Sequence, residues 1–330
     1  MDAERTIIPV AGGKGGVGKT LLTANLAIAL AEQGHETIAV DLDLGSSNLH
    51  SFLGLRNEFP GVGDYLRGRP SPLQDFLVAT EIPRLKFVPG DGRMPFMANI
   101  THHQKRRLIR DLNMLSARYV LLDLGAGSSF NVLDFFRIVG SGIVVTTPEY
   151  PSIMSMLVFL KNVLLRAIET SVSKDPGIMG VIQEMYFQPM LGSQKTVPSF
   201  RKQVELSDRN AASKIERICQ ELRPRIIYNM GDNPSDLEIL PSIDNSLKDM
   251  LGLECDHLGF VFSNTYVRES IKKNRPLILG DPESPFANSL RQIASRIIRL
   301  WDQPIPNSAE LLTHHTKNFY ENLTGSSNRE

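Results

Sequence analysis

The chain has 330 residues, of which 42% are hydrophobic and 22% charged, with 36 basic side chains set against 36 acidic ones. A formal charge of zero excludes a polybasic nucleic-acid coat, although a local basic patch would still hold phosphates. The length suits one large α/β domain, and the composition suits a soluble globular protein.

The first residues, MDAERTIIPVAGG, place acidic side chains ahead of a short apolar run, unlike the basic flank of a secretory signal. No uninterrupted apolar run approaches the ~20 residues that a membrane helix needs, so a cytoplasmic location is expected. The strand candidate RTIIPVA leads into a glycine-rich segment. There Gly13 to Thr20, GKGGVGKT, fits G-x-x-x-x-G-K-[ST] ahead of a helix expected over Leu21 to Gln33. Strand, loop and helix in this order make a phosphate cradle: glycines let backbone N–H groups converge on phosphate oxygens, and the helix N-terminus adds a favourable dipole. Lys19 would reach the β- and γ-phosphates of ATP, and Thr20 would ligate Mg²⁺. The expected nucleotide-binding residues are Gly13, Lys14, Gly15, Gly16, Val17, Gly18, Lys19, Thr20 and Leu21.

The second strand, ETIAVDLD, carries Asp41 and Asp43, and carboxylates two apart share a strand face until the strand ends. Both would point at a nucleotide beyond the carboxyl edge of the sheet. After a third strand, LKFVPG, a helix is expected from His102 to Ser116. Its run HHQKRRLIR gathers Lys105, Arg106, Arg107 and Arg110, which reads as a solvated face, with contact to an acidic partner or DNA as the functional alternative. The fourth strand, RYVLLDLG, brings Asp123 to the Mg²⁺ shell, and Gly125 and Gly127 would let the next loop move when the γ-phosphate leaves.

A fifth strand, GIVVTTPE, precedes a helix over Ser152 to Glu169; RIIYNMG, LGFVFSN and a helix near Ser284 to Trp301 follow later. Apolar strands that alternate with helices predict an α/β fold: a doubly wound, mostly parallel sheet with helices on both faces. The P-loop ATPase domain is expected over residues 1–301. It would carry a helical insertion at about 171–224, with at least one helix, from Asn210 to Leu222. Residues 302–330 would form a linker and short tail, helical from Ala309 to Leu323, with Ser308 placed to cap it. Cys219 and Cys255 lie far apart, form no CxxC, and read as ordinary thiols in a reducing compartment.

KGGVGKT resembles the deviant Walker A motif of the MinD/ParA family, ATPases that position division sites, chromosomes, plasmids and other cell structures. The resemblance implies a face-to-face homodimer around ATP. In it Lys14 crosses to the phosphates held by the other subunit and offsets charge on the transferred phosphoryl group. VDLDLG resembles the family's D-x-D-x-G segment, which would make Asp43 the residue that orients the attacking water and would have Asp41 hold Mg²⁺ through its hydration shell. RIIYNMG resembles the strand whose last asparagine contacts adenine, here Asn229.

DLGAGSSFNVLDFF, VVTTPEYPSI and LGFVFSNTYVRESIKKNRPLILGDPESPF look most like the FlhG-type flagellar-number regulators and their MinD-like relatives. The implied function is an ATP-dependent dimerising switch with slow hydrolysis and an unidentified protein partner. Two segments depart from the family pattern. The insertion is not part of the usual compact core, and the tail has one lysine against two glutamates over Ala309 to Leu323, unlike a cationic membrane helix. Membrane association is therefore not expected, and nucleic acid is allowed but not favoured. One alternative is a DNA-partitioning ParA-type ATPase. Another is a metal-centre or iron–sulfur carrier, although Cys219 and Cys255 do not follow the switch loops where such carriers need thiolates.

Overall fold

Strands β1 (Thr6–Ala11), β2 (Thr37–Leu42) and β5 (Tyr119–Leu124) are buried at every residue, as apolar runs covered on both faces must be. The computed structural model describes residues 5–68, 71–90, 100–172, 175–190, 192 and 195–327; the acidic start at Met1 to Glu4 lies outside them. With β3 (Val78–Ala79), β4 (Leu85–Val88), β6 (Ile143–Thr146), β7 (Arg225–Gly231) and β8 (Asp256–Phe262), the sheet runs β3-β4-β2-β5-β1-β6-β7-β8. Every pairing is parallel except β3 with β4. The expected doubly wound sheet is therefore present, with one short antiparallel edge strand that only two residues specify. β1 lies between β5 and β6, so the loop that leaves its carboxyl end sits over the middle of the sheet.

Helix α1 (Lys19–Glu32) is buried almost all round, because the sheet covers one side and α13 (Pro285–Leu300) the other. Around β2 and β4 come α2 (Leu49–Phe52), α3 (Val62–Arg67) and α4 (His102–Leu112). The opposite face is built on α5 (Phe130–Phe136) and α6 (Tyr150–Val172), with Phe159, Leu160, Val163 and Leu164 fully buried. Among the described residues α6 is the one helix long and apolar enough to cross a membrane by composition, and it is mostly buried in this core.

Among the described residues the segment at 171–224 holds three helices, of which the expected one is α9: α7 (Pro176–Phe187), α8 (Val197–Ser207) and α9 (Arg209–Glu221). Each begins on a side-chain cap. The Asp175 carboxylate accepts from the N–H groups of Gly177 and Ile178, Thr196 from Ser199, and Asp208 from Asn210 and Ala211. Ile182, Phe200 and Ile215 pack into the core of α6. α10 (Leu240–Ser246), α11 (Val267–Lys272) and α12 (Leu277–Gly280) then connect β7, β8 and α13.

The tail is helix α14 (Ser308–Ser327), which docks on β8: Leu312 is buried, and the rings of Phe319 and Tyr320 pack on Phe262. Burial of a leucine is worth roughly 2 kcal/mol, and the ring contacts on Phe262 add to it. The basic run on α4 is only partly solvated. Lys105 pairs with Asp134, while Arg107 lies over the Tyr65 ring and donates to the Ser71 carbonyl. Arg106 stays exposed, and Arg110 pairs with Asp111.

Candidate functional site

The loop between β1 and α1 is shaped by contacts that exclude side chains. A Cβ at Gly13 would fall 2.0 Å from the Ser155 carbonyl oxygen, so only glycine lets the loop cross α6. Gly18 has φ +87°, in the left-handed region, and its Cβ would meet the Asn229 amide at 2.3 Å. Asn229, buried at the carboxyl end of β7, donates from Nδ2 to the Val17 carbonyl at 2.9 Å. It thus fastens the loop to β7, a role that the sequence did not reveal.

Lys19 opens α1 and is buried, whereas Lys14 is half-exposed on the loop and makes no ion pair among the described residues. The two lysines of the motif therefore occupy different surroundings. One is committed to the cradle and the other stands at its rim.

Asp41 and Asp123 are register neighbours on β2 and β5, and both are completely buried. Asp41 is tied on both oxygens: Oδ1 accepts from Asp43 N, and Oδ2 accepts from Ser47 Oγ at 2.6 Å and Leu49 N at 3.1 Å. Asp123 accepts on Oδ1 from Thr23 Oγ1 at 3.2 Å, and the Thr20 hydroxyl lies close enough to favour its charged form, but its buried Oδ2 has no hydrogen-bond partner. Burial first, then the charge of Asp41, pushes the Asp123 carboxyl up to about 8, and burial pushes Asp41 up to about 6. A buried, unsatisfied carboxylate oxygen beside a second buried acid is the donor set that a hard divalent cation neutralises, and Thr20 adds its hydroxyl. The residues present therefore fit Mg²⁺.

Asp43 lies one residue beyond β2, not on it. Its Oδ1 accepts from Ser46 N, and a Cβ at Gly125 would sit 3.3 Å from the same oxygen. The acid thus rests on the loop after β5, whose Gly127 N–H donates to the Gly12 carbonyl at 3.2 Å and joins that loop to the phosphate cradle. All the expected phosphate-loop and carboxylate positions come together at this one edge. The sequence reading missed Thr23 and Ser47. Thr23 follows Thr20 by three residues and so shares its face of α1, a spacing that could have exposed it.

Three comparisons bear on this geometry. The family model of the CobQ/CobB/MinD/ParA nucleotide binding domain matches residues 8–278. A putative septum site-determining protein MinD of Tupiella akineta is 29% identical over 201 residues, 57% of this chain and 65% of that protein. Antiactivator FleN of Pseudomonas aeruginosa is 32% identical over 157 residues, 47% of this chain and 55% of that protein. The chain thus spans just under two thirds or less of these two relatives. The septum site-determining protein MinD of Pyrococcus horikoshii, solved with Mg-ADP, superposes with a TM-score of 0.57 at 20% identity, over 90% of this chain and 97% of that one, which marks a shared fold. With most of its length matched by the family model, this chain belongs to the CobQ/CobB/MinD/ParA family of nucleotide-binding proteins.

Proposed function

We propose that this protein is an ATP-dependent dimerising switch: ATP joins two subunits, the dimer offers a surface to a protein partner, and slow hydrolysis to ADP and phosphate separates them. The observation that carries this reading is the Asp41–Asp123 pair, with the unsatisfied Oδ2 of Asp123, at the edge where Lys14 stands half-exposed on the phosphate loop. Lys19 and the loop N–H groups would bind the phosphates, and Asn229 would meet the base with the polar atoms that Val17 leaves free. Thr20, Asp41 and Asp123 would hold Mg²⁺, which when bound offsets the charge on the β- and γ-phosphates. Asp43, beside the Gly125 loop, would orient the attacking water. Lys14 would complete the site of the other subunit, which makes dimerisation depend on ATP and turnover depend on the dimer.

Relatives named for septum siting and for antiactivation support a role in positioning or regulating a cellular structure. Phe130 and Tyr150, each 63% exposed, begin α5 and α6 beside the nucleotide edge and suit an apolar protein partner. Light scattering with ATP and Mg²⁺ tests the reading. Asp43→Ala should be a trapped dimer whose hydrolysis falls on the order of 10²-fold or more. Lys14→Ala/Asp43→Ala should stay monomeric while still binding nucleotide. An ATP-dependent dimer of the double variant would sink the mechanism.

A further inference from the structure

Far along the sheet from the phosphate loop, three side chains of metal-ligating chemistry converge. Cys255 and His257 straddle Asp256 at the start of β8, so their side chains share one strand face, and α10 brings Asp244 over them. Asp244 Oδ1 lies 3.0 Å from His257 Nε2 and 3.3 Å from Cys255 Sγ, and Sγ lies 3.8 Å from Nε2. Zinc bonds of about 2.0–2.3 Å at tetrahedral angles require ligand atoms roughly 3.4–3.6 Å apart, so the triangle has the size of one face of a zinc tetrahedron.

We propose that Asp244, Cys255 and His257 form a zinc site with a fourth, open position. A thiolate and a carboxylate together balance the charge of the ion, and the imidazole completes a borderline-soft donor set suited to Zn²⁺ rather than Mg²⁺. A second contact points the same way. The Tyr228 hydroxyl, on neighbouring β7, lies 2.9 Å from His257 Nδ1 and can accept its N–H, leaving Nε2 free for the metal. The cationic neighbour, Arg223, is already engaged by Glu254 and Asp256. The Asp244 side chain is 44% exposed, which gives the ion an entry path and a water its place.

The position indicates what the site would do. His257 N–H donates to Ser308 Oγ at 3.0 Å, and Ser308 is the first residue of α14. A metal on His257 would stiffen the seat on which the C-terminal helix docks. The same three side chains can close as a plain hydrogen-bonded cluster, with Nε2–H donating to Asp244, and the experiment separates the two.

The full chain, stripped with a chelator and dialysed, would be titrated with Co²⁺ and then Zn²⁺. The expected result is one ion per chain, with a thiolate-to-cobalt charge-transfer absorption that Zn²⁺ displaces. That band should persist in Cys219→Ser and vanish in Cys255→Ser. Asp244→Asn, at a half-exposed position that spares the fold, should weaken binding tenfold or more. Zn²⁺ should raise the melting temperature of the wild type and leave that of Cys255→Ser unchanged. Absence of a thiolate band in the wild type, its survival in Cys255→Ser, or equal affinity in Asp244→Asn would overturn the site and leave the hydrogen-bonded cluster.

Discussion

Asp123 and Asp256 are both fully shielded from water on parallel strands of one sheet, and the fold treats them in opposite ways. Asp256 is met by two guanidinium groups: Arg223 Nε at 2.9 Å and Arg225 Nε at 3.5 Å. Arg225 in turn is held by the carbonyls of Trp301 and Gln303 and lies over the Trp301 ring. That flank brings its own counterions. Oδ2 of each acid lacks a hydrogen bond, but that of Asp256 has the Arg225 guanidinium 3.5 Å away, whereas Asp123 faces another buried acid, Asp41, with Lys19 as its cationic neighbour. A buried charge with built-in partners serves the architecture, whereas one left wanting a cation marks where a ligand belongs.

The comparison breaks most sharply at the loop. Lys19→Ala removes the only buried cation of the phosphate cradle, so nucleotide affinity measured by calorimetry should fall on the order of 10²-fold or more. Unfolding of the nucleotide-free protein should change less than in Arg225→Met, because among the described residues the Lys19 side chain makes no hydrogen bond or ion pair and acts on Asp123 only through its charge. Tight nucleotide binding by Lys19→Ala would remove the loop from the site.

On the other flank the effect should appear as stability. Arg225→Met strands the Trp301 and Gln303 carbonyls and leaves Asp256 to Arg223 alone, which should cost about 3 kcal/mol in urea unfolding. Nucleotide affinity should stay at the wild-type level. A stable Arg225→Met protein would mean that Asp256 is served by Arg223 alone.

The nucleotide edge was largely legible in the sequence because its parts are contiguous: GKGGVGKT, VDLD and LLDLG each place their functional groups within a few residues at a strand end. What escaped depends on contacts between distant segments. Thr23 reaches Asp123 across 100 residues, and Asn229 fastens Val17 across 212. β3 is two residues long and too short to pattern. In the insertion only the helix at 210–222 had readable bounds in the sequence, although Asp175–Pro176 is a cap followed by proline at the first helical position and signals α7. The basic run on α4 looked like one solvated face, but Lys105 and Arg107 turn inward because Asp134 and the Tyr65 ring await them. The ring of contacts around His257 joins residues from three separate segments that no local pattern links.

The smallest effect sharpens the comparison through pH. Burial raises both acids of the nucleotide edge, Asp41 to about 6 and, with the added charge of Asp41, Asp123 to about 8, whereas in the unfolded chain each titrates near 4. Between those limits the unfolded chain releases these protons first, so it is the unfolded state that gains as pH rises. Freed of nucleotide and Mg²⁺ by a chelator, the wild type should therefore lose stability from about pH 4 to about pH 8 through these groups. Asp123→Asn keeps an oxygen for Thr23 and cannot ionise. It should match the wild type near pH 4 and exceed it by a margin that widens steadily as the pH rises to about 8. Urea unfolding at the two pH values reads the difference. Mg-nucleotide should reverse the ranking, since only the wild type offers the cation a second carboxylate. Parallel pH profiles of the two proteins would show that Asp123 is ionised at no cost in the empty site, and the contrast with Asp256 would then collapse.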